Sequence, residues 1–148
     1  MKALSIKAPW AYLIVQGVPV FESVDNGDGT TRVEYSGRVI YKDVENRTWK
    51  LPKGFIVPQR IAIHVGQRED SEALEALMKM GIPAMSALMG FSKRLPRGAL
   101  IGEADITDCV ASHDSPWFAG PFGFVLANPQ VYAEPIPCKG RLGFFELT

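Results

Sequence analysis

The chain has 148 residues, 47% hydrophobic and 22% charged, with sixteen basic side chains balanced by sixteen acidic ones. A chain of this length buries roughly 68–70% of its unfolded surface, so one core needs no disulfide or metal staple, and the hydrophobic fraction excludes a disordered chain. Zero net charge excludes a protein that coats duplex nucleic acid through a broad basic face, and leaves room for a local basic cleft.

Cys109 and Cys138 stand far apart, outside any CxxC pair, and read as buried free thiols of a reducing compartment. With His64 and His113 they lack the spacing of a zinc set, so neither metal nor cofactor is expected. Met1 to Trp10 carries no apolar signal run, and no stretch approaches the ~20 apolar residues of a membrane span. The expectation is one domain over residues 1–148, cytoplasmic, with no membrane partner.

Ala3-Leu4-Ser5-Ile6 reads as a short strand. Pro9 suits the first turn of a helix, where its missing N–H has no partner to lose, and Trp10, Leu13 and Ile14 follow at helical spacing. Gly17 can end that helix in the left-handed region. Val20 to Val24 and Thr31 to Tyr35 flank an Asn-Gly-Asp-Gly turn, which predicts a hairpin, and Val39 to Val44 reads as a further strand. Arg60 to Val65 is rich in β-branched residues and reads as a strand.

A helix follows, capped by Asp70 or Ser71, with Leu74, Leu77 and Met78 as its apolar face and Gly81 at its end. Pro83 begins a candidate second helix with Met85, Leu88 and Met89. Ala99 to Asp105, Phe122 to Leu126, Val131 to Ile136 and Gly143 to Leu147 are the closing strands. Six or seven strands with two or three helices suit an α+β fold, a small mixed β-barrel with helices outside it.

Leu4-Ser5-Ile6-Lys7-Ala8-Pro9-Trp10-Ala11 joins a short strand to a Pro-Trp helix start, and Lys42-Asp43-Val44-Glu45-Asn46-Arg47 reads K-x-x-E-x-R. In this order the segments resemble the ASCH family: the first is similar to its opening, the second matches half of its G-x-K-x-x-E-x-R signature, and Gly98 to Ala104 and Pro121 to Leu126 resemble its later strands. The signature glycine is missing two positions before Lys42, where Ile40 stands; residues 18–41 read as a hairpin inserted between Gly17 and Lys42, a candidate lid or surface for a protein partner. The resemblance implies a PUA-like fold with a cleft between barrel and helices that takes RNA or a nucleotide-like ligand. Some branches are coactivator modules, some ribonuclease-like, and some deacylate an acylated cytidine. In the last group a threonine stands where this chain has Glu45, which removes the expected nucleophile.

The candidate site is therefore Lys42, Glu45 and Arg47, with Lys7, Trp10, Trp49 and His64 beside it. Alternation puts Glu45 and Arg47 on one face of a strand, and Lys42 joins them only if the chain turns or bulges near Asp43. The guanidinium fork suits phosphate or carboxylate, and the tryptophans can stack on a base or fill the core. Lys7 is a candidate phosphate contact or a solvated side chain, and His64 a ligand donor or a satisfied core residue. As an enzyme, a ribonuclease or amidohydrolase, the chain would use Lys42 as base beside Glu45. Ser112-His113-Asp114 is not read as a triad, since triads assemble in space from separate elements. The basic run Lys93, Arg94 and Arg97 reads as a solvated loop or a guide for a nucleic-acid backbone.

Overall fold

The computed structural model describes residues 1–81 and 95–147. In chain order the elements are β1 (Lys2–Ala8), α1 (Trp10–Val15), β2 (Val18–Asp25), β3 (Thr31–Ile40), β4 (Val44–Arg47), β5 (Gln59–Glu69), α2 (Ala73–Lys79), β6 (Ala99–Val110), β7 (Phe122–Pro137) and β8 (Phe144–Glu146). The expected second helix at Pro83, with Met85, Leu88 and Met89, lies outside the described residues, as do Lys93 and Arg94 of the basic run.

The fold is mostly β. Six strands form one mixed sheet in the order β4-β7-β6-β5-β1-β8, and β2 pairs with β3 in a separate hairpin. The pair β1–β5 is parallel; the other ladders are antiparallel. The sheet is strongly curled. Phe124 on β7 and Phe144 on β8 stand four strand positions apart, which is ~19 Å across a flat sheet at ~4.8 Å per strand. Their rings stack at 5.8 Å between centroids. Trp49, just after β4, touches both, at 5.4 and 5.9 Å.

Inside the curl lies the main core, which includes Leu4, Ile6, Ile61, Ile63, Val65, Ile101, Ile106 and Phe124, all buried. Helix α1 plugs against it, with Ala11 to Val15 all buried. Truncating a side chain this enclosed, such as Ile14, costs about 2–5 kcal/mol. Gly17 ends α1 at φ +72, as its position after the apolar run predicts.

Several expectations are corrected. Pro9 is the N-cap residue of α1 and not its first helical residue. The strand predicted over Val39 to Val44 is broken: β3 ends at Ile40 and β4 starts at Val44. At the start of α2, Glu72 holds the N-cap position without a side-chain cap, while Asp70 Oδ1 accepts the Glu72 N–H at 3.0 Å. That helix buries Ala73 and Leu77; Leu74 and Met78 are exposed. The strands expected at Phe122 to Leu126 and Val131 to Ile136 are one strand, β7. Cys109 and Cys138 are free, and both are half-buried where full burial was expected. Among the described residues no helix is long and apolar enough to cross a membrane.

Candidate functional site

The site begins where the chain leaves the hairpin. The hairpin ends are paired, Val18 with Ile40, so Gly17 returns against the residues before Lys42. A Cβ on Gly17 would stand 2.8 Å from the Ile40 carbonyl oxygen and 2.6 Å from Val39 Cγ1. Gly17, at φ +72, leaves no room for a side chain there.

Residues 41–43 then run outside any strand. The Lys42 N–H donates to the Leu13 carbonyl at 2.9 Å, and the Asp43 carbonyl accepts from Leu126 N at 2.8 Å. This irregular link turns Lys42 onto the side of Glu45 and Arg47, the condition that strand alternation alone does not meet.

The three charges meet around one carboxylate. Lys42 Nζ donates to Glu45 Oε1 at 2.8 Å and also to the Val44 carbonyl. Arg47 donates to Glu45 Oε2 through Nη2 at 2.8 Å and Nε at 3.2 Å. Arg47 Nη2 also reaches the Ser5 carbonyl on β1 at 3.0 Å. Lys42 is 4% exposed and Glu45 7%; Arg47 is half-buried. Each cation lies over an indole: Lys42 Nζ is 5.8 Å from the Trp10 ring centre and the Arg47 guanidinium carbon 5.6 Å from that of Trp49.

Second partners hold the rings and loops in place. The Trp10 indole N–H donates to Asp70 Oδ2 at 2.7 Å. That bond, with the Glu72 N–H and the nearby Lys7, holds the Asp70 carboxyl below its usual range against the opposing effect of burial. Trp117 packs edge-on to Trp10 at 6.5 Å. Asn46 points away from its charged neighbours and pins the loop 117–120: its Nδ2 donates to the Trp117 carbonyl at 2.9 Å, and its Oδ1 accepts from Ala119 N at 2.8 Å and Gly120 N at 3.1 Å.

These residues border a cavity of about 1330 Å³, open to solvent, which Lys7, Trp10, Lys42, Glu45, Arg47, Trp49 and His64 all line. Trp10 and Trp49 are half-buried, part core and part cleft wall, and Lys7 is exposed. His64 is 1% exposed, with both ring nitrogens engaged within the chain. Ser5, Asn46, Asp70, Arg68, Lys139 and Arg141 also line the cavity and were not picked out as site residues from the sequence. Asn46 has one signal in the sequence, its place inside the K-x-x-E-x-R run; Asp70 reads there as a helix cap.

Ser112, His113 and Asp114 are exposed and form no triad. His113 Nδ1 accepts the Ser115 N–H at 2.9 Å, and the Ser115 hydroxyl donates to Asp43 Oδ1 at 2.5 Å, so this segment ties its loop to the link before β4. Arg97, the described member of the basic run, pairs with Glu69 at 3.5 Å. A second polar cluster, Arg60 with Glu103 and Asp105 and the Tyr132 hydroxyl on Glu103 at 2.6 Å, lies outside the cavity wall. Burial, and then the bond to Glu103, raises the Tyr132 hydroxyl well above its ordinary range. Among the described residues no group of three or more His, Cys, Asp or Glu is placed to hold a metal.

Comparison with known proteins gives a distant relation. The chain is 26% identical over 153 aligned positions to human activating signal cointegrator 1, a protein that contains an ASCH domain. The match covers 97% of this chain and 22% of that protein's length. No family model matches the chain.

Proposed function

We propose that this chain is an ASCH-type domain, its curled sheet a PUA-like barrel, that binds RNA or a nucleotide-like ligand in the cleft around Lys42, Glu45 and Arg47. The observation that carries this reading is the charge of the cleft. In a chain of zero net charge, its wall gathers Lys7, Lys42, Arg47, Arg68, Lys139 and Arg141 against Glu45 and Asp70, besides Lys79, which pairs with Glu75. A concave basic surface focuses its field on an anion.

The partners of each group suggest a division of labour. Glu45 is shared by Lys42 and Arg47, so the floor is compact and keeps one positive charge in excess. Lys7, Arg68, Lys139 and Arg141 on the rim are the cations for phosphate, and the Trp10 and Trp49 faces are the surfaces for a base, where stacking is worth about 1–3 kcal/mol per base. The geometry favours binding over a hydrolase with Lys42 as its base, because Lys42 Nζ already donates to both Glu45 and the Val44 carbonyl instead of standing free.

A thermal-shift screen against nucleoside monophosphates, modified nucleosides and a short single-stranded RNA tests this, since a ligand of the folded state raises its stability. At 100 times Kd the gain is about 2.7 kcal/mol. The reading expects a shift that shrinks with salt and is reduced in Arg47→Ala. No shift with any of these compounds rejects it. A protein partner on the 18–41 hairpin is a second reading, favoured by the exposed side chains of Phe21, Val33 and Tyr35. Partner capture that survives deletion of the hairpin rejects it.

A further inference from the structure

The ring of His64 is enclosed, but its two nitrogens are not equivalent. Nε2 lies 2.7 Å from the Cys138 carbonyl oxygen and Nδ1 lies 3.0 Å from Ser5 Oγ. A carbonyl only accepts, so Nε2 carries the ring proton and donates it. In the neutral ring Nδ1 then offers a lone pair, and the Ser5 hydroxyl is the donor to it.

The backbone sets this arrangement. Ser5 and His64 stand opposite one another in the β1–β5 ladder. Gly140 closes over the ring so tightly that a Cβ there would lie 2.5 Å from His64 Cε1 and 3.2 Å from Ser5 Oγ. Ser5 is half-buried and borders the cleft. Beside it stands a cation, because Arg47 Nη2 donates to the Ser5 carbonyl. Arg47 Nη1 has no hydrogen-bond partner among the described residues.

We propose that Ser5 is a nucleophile for acyl transfer, with His64 as its general base and Arg47 as the donor for the developing oxyanion. Two geometric requirements for such a site are present, a bond from nucleophile to base and a second bond that orients the base, and Arg47 lines the same solvent-reachable cleft as Ser5 and His64. The substrate class is an ester, or another acyl group with a good leaving group, small enough to enter the cleft. Ser5 Oγ attacks the carbonyl carbon and its proton passes to His64 Nδ1. The tetrahedral intermediate collapses, the bond to the leaving group breaks, and His64 returns the proton to that group. Water then attacks the acyl-serine and gives a proton to His64; as the acyl–oxygen bond breaks, His64 returns that proton to Ser5 Oγ and the acid leaves.

This activity does not depend on nucleotide binding and is tested separately. The whole chain is incubated with a fluorophosphonate probe, digested, and read by peptide mass spectrometry. The expected result is one adduct, on Ser5, formed as the phosphorus–fluorine bond breaks and fluoride leaves. Ser5→Ala abolishes it, and His64→Gln slows it by roughly 10²-fold, the lower end for a lost general base. With p-nitrophenyl acetate, release of p-nitrophenolate falls to the Ser5→Ala background in the same order. Because His64 is enclosed, its variant is compared only if it unfolds cooperatively; otherwise wild type and Ser5→Ala, a small change at a half-buried position, decide the matter. A folded wild type that carries no Ser5 adduct, or ester hydrolysis equal in wild type and Ser5→Ala, overturns the proposal. Labelling unchanged in a folded His64→Gln protein removes His64 as the base.

Discussion

Replacing Glu45 by glutamine keeps the shape of the side chain and removes its charge. Two contacts at 2.8 Å lose their anion. The consequences for the two cations differ. Arg47 keeps its bond to the Ser5 carbonyl and is open enough to regain water. Lys42 is 4% exposed and retains only the Val44 carbonyl and the glutamine oxygen as acceptors. Breaking a buried pair from one side costs about 3–5 kcal/mol, chiefly through the stranded charge. With one of the two cations able to rehydrate, about 3 kcal/mol is expected. For a chain of this size that is a fall in Tm of ~6–12 °C. Removing the stranded charge as well, in Lys42→Met/Glu45→Gln, should return ~2 kcal/mol, because apolar replacement of a buried ion is often neutral or better. Urea unfolding followed by tryptophan fluorescence measures all four corners of the cycle, and Trp10 and Trp49 lie against the two cations. A Glu45→Gln protein within 1 kcal/mol of wild type, with no recovery in the double variant, would show three charges solvated like surface pairs and refute the reasoning.

Asn46→Ala removes the three bonds from the Asn46 side chain to the loop at 117–120. A loss of about 1–3 kcal/mol is expected from the stranded backbone groups, with faster hydrogen exchange at the Ala119 and Gly120 amides and little change in β5; uniform acceleration across the sheet would contradict a local clamp. Asp70 contributes a pH dependence of known sign. Its folded-state value lies below the ordinary 3.8, so its stabilisation is complete well above pH 3.8 and is lost as pH falls through the lowered value. The stability gap between wild type and Asp70→Asn should therefore narrow below about pH 4, measured by urea titration at each pH. A gap constant down to pH 2 would contradict it.

Much of the wall of the cleft was legible in the sequence because it depends on local spacing. Glu45 and Arg47 share a face by strand alternation, β5 is announced by its β-branched run, and Gly17 follows the last apolar residue of α1. The need for a turn at Asp43 was also readable, though its cause was not: the link is held by Leu13 and Leu126, remote in sequence. What the sequence hides is long-range. The continuity of β7 through Asn128-Pro129 depends on a positive φ of 52° at Asn128 and on register shifts along β6, which absorb a turn-like dipeptide into a strand. Leu74 and Met78 sit at helical spacing with Leu77, but Ala73 and Leu77 are the buried residues of α2. The Ser5–His64 contact spans 59 positions and exists only because β1 and β5 pair in parallel register. The rim cation Arg68, on β5, meets Lys139 and Arg141, in the link between β7 and β8, only in space.

The central claim is that a nucleotide-like anion sits between the two indoles above the Lys42–Glu45–Arg47 floor. Titrating ¹⁵N-labelled protein with nucleoside monophosphates and a short single-stranded RNA, and following the indole N–H signals of Trp10, Trp49 and Trp117, tests it most directly. The account predicts saturable shifts of the Trp10 and Trp49 signals with at least one of these ligands, weakened in Arg47→Ala and by added salt. Indole signals that stay fixed while shifts appear elsewhere on the surface, or that do not move with any ligand, would contradict it.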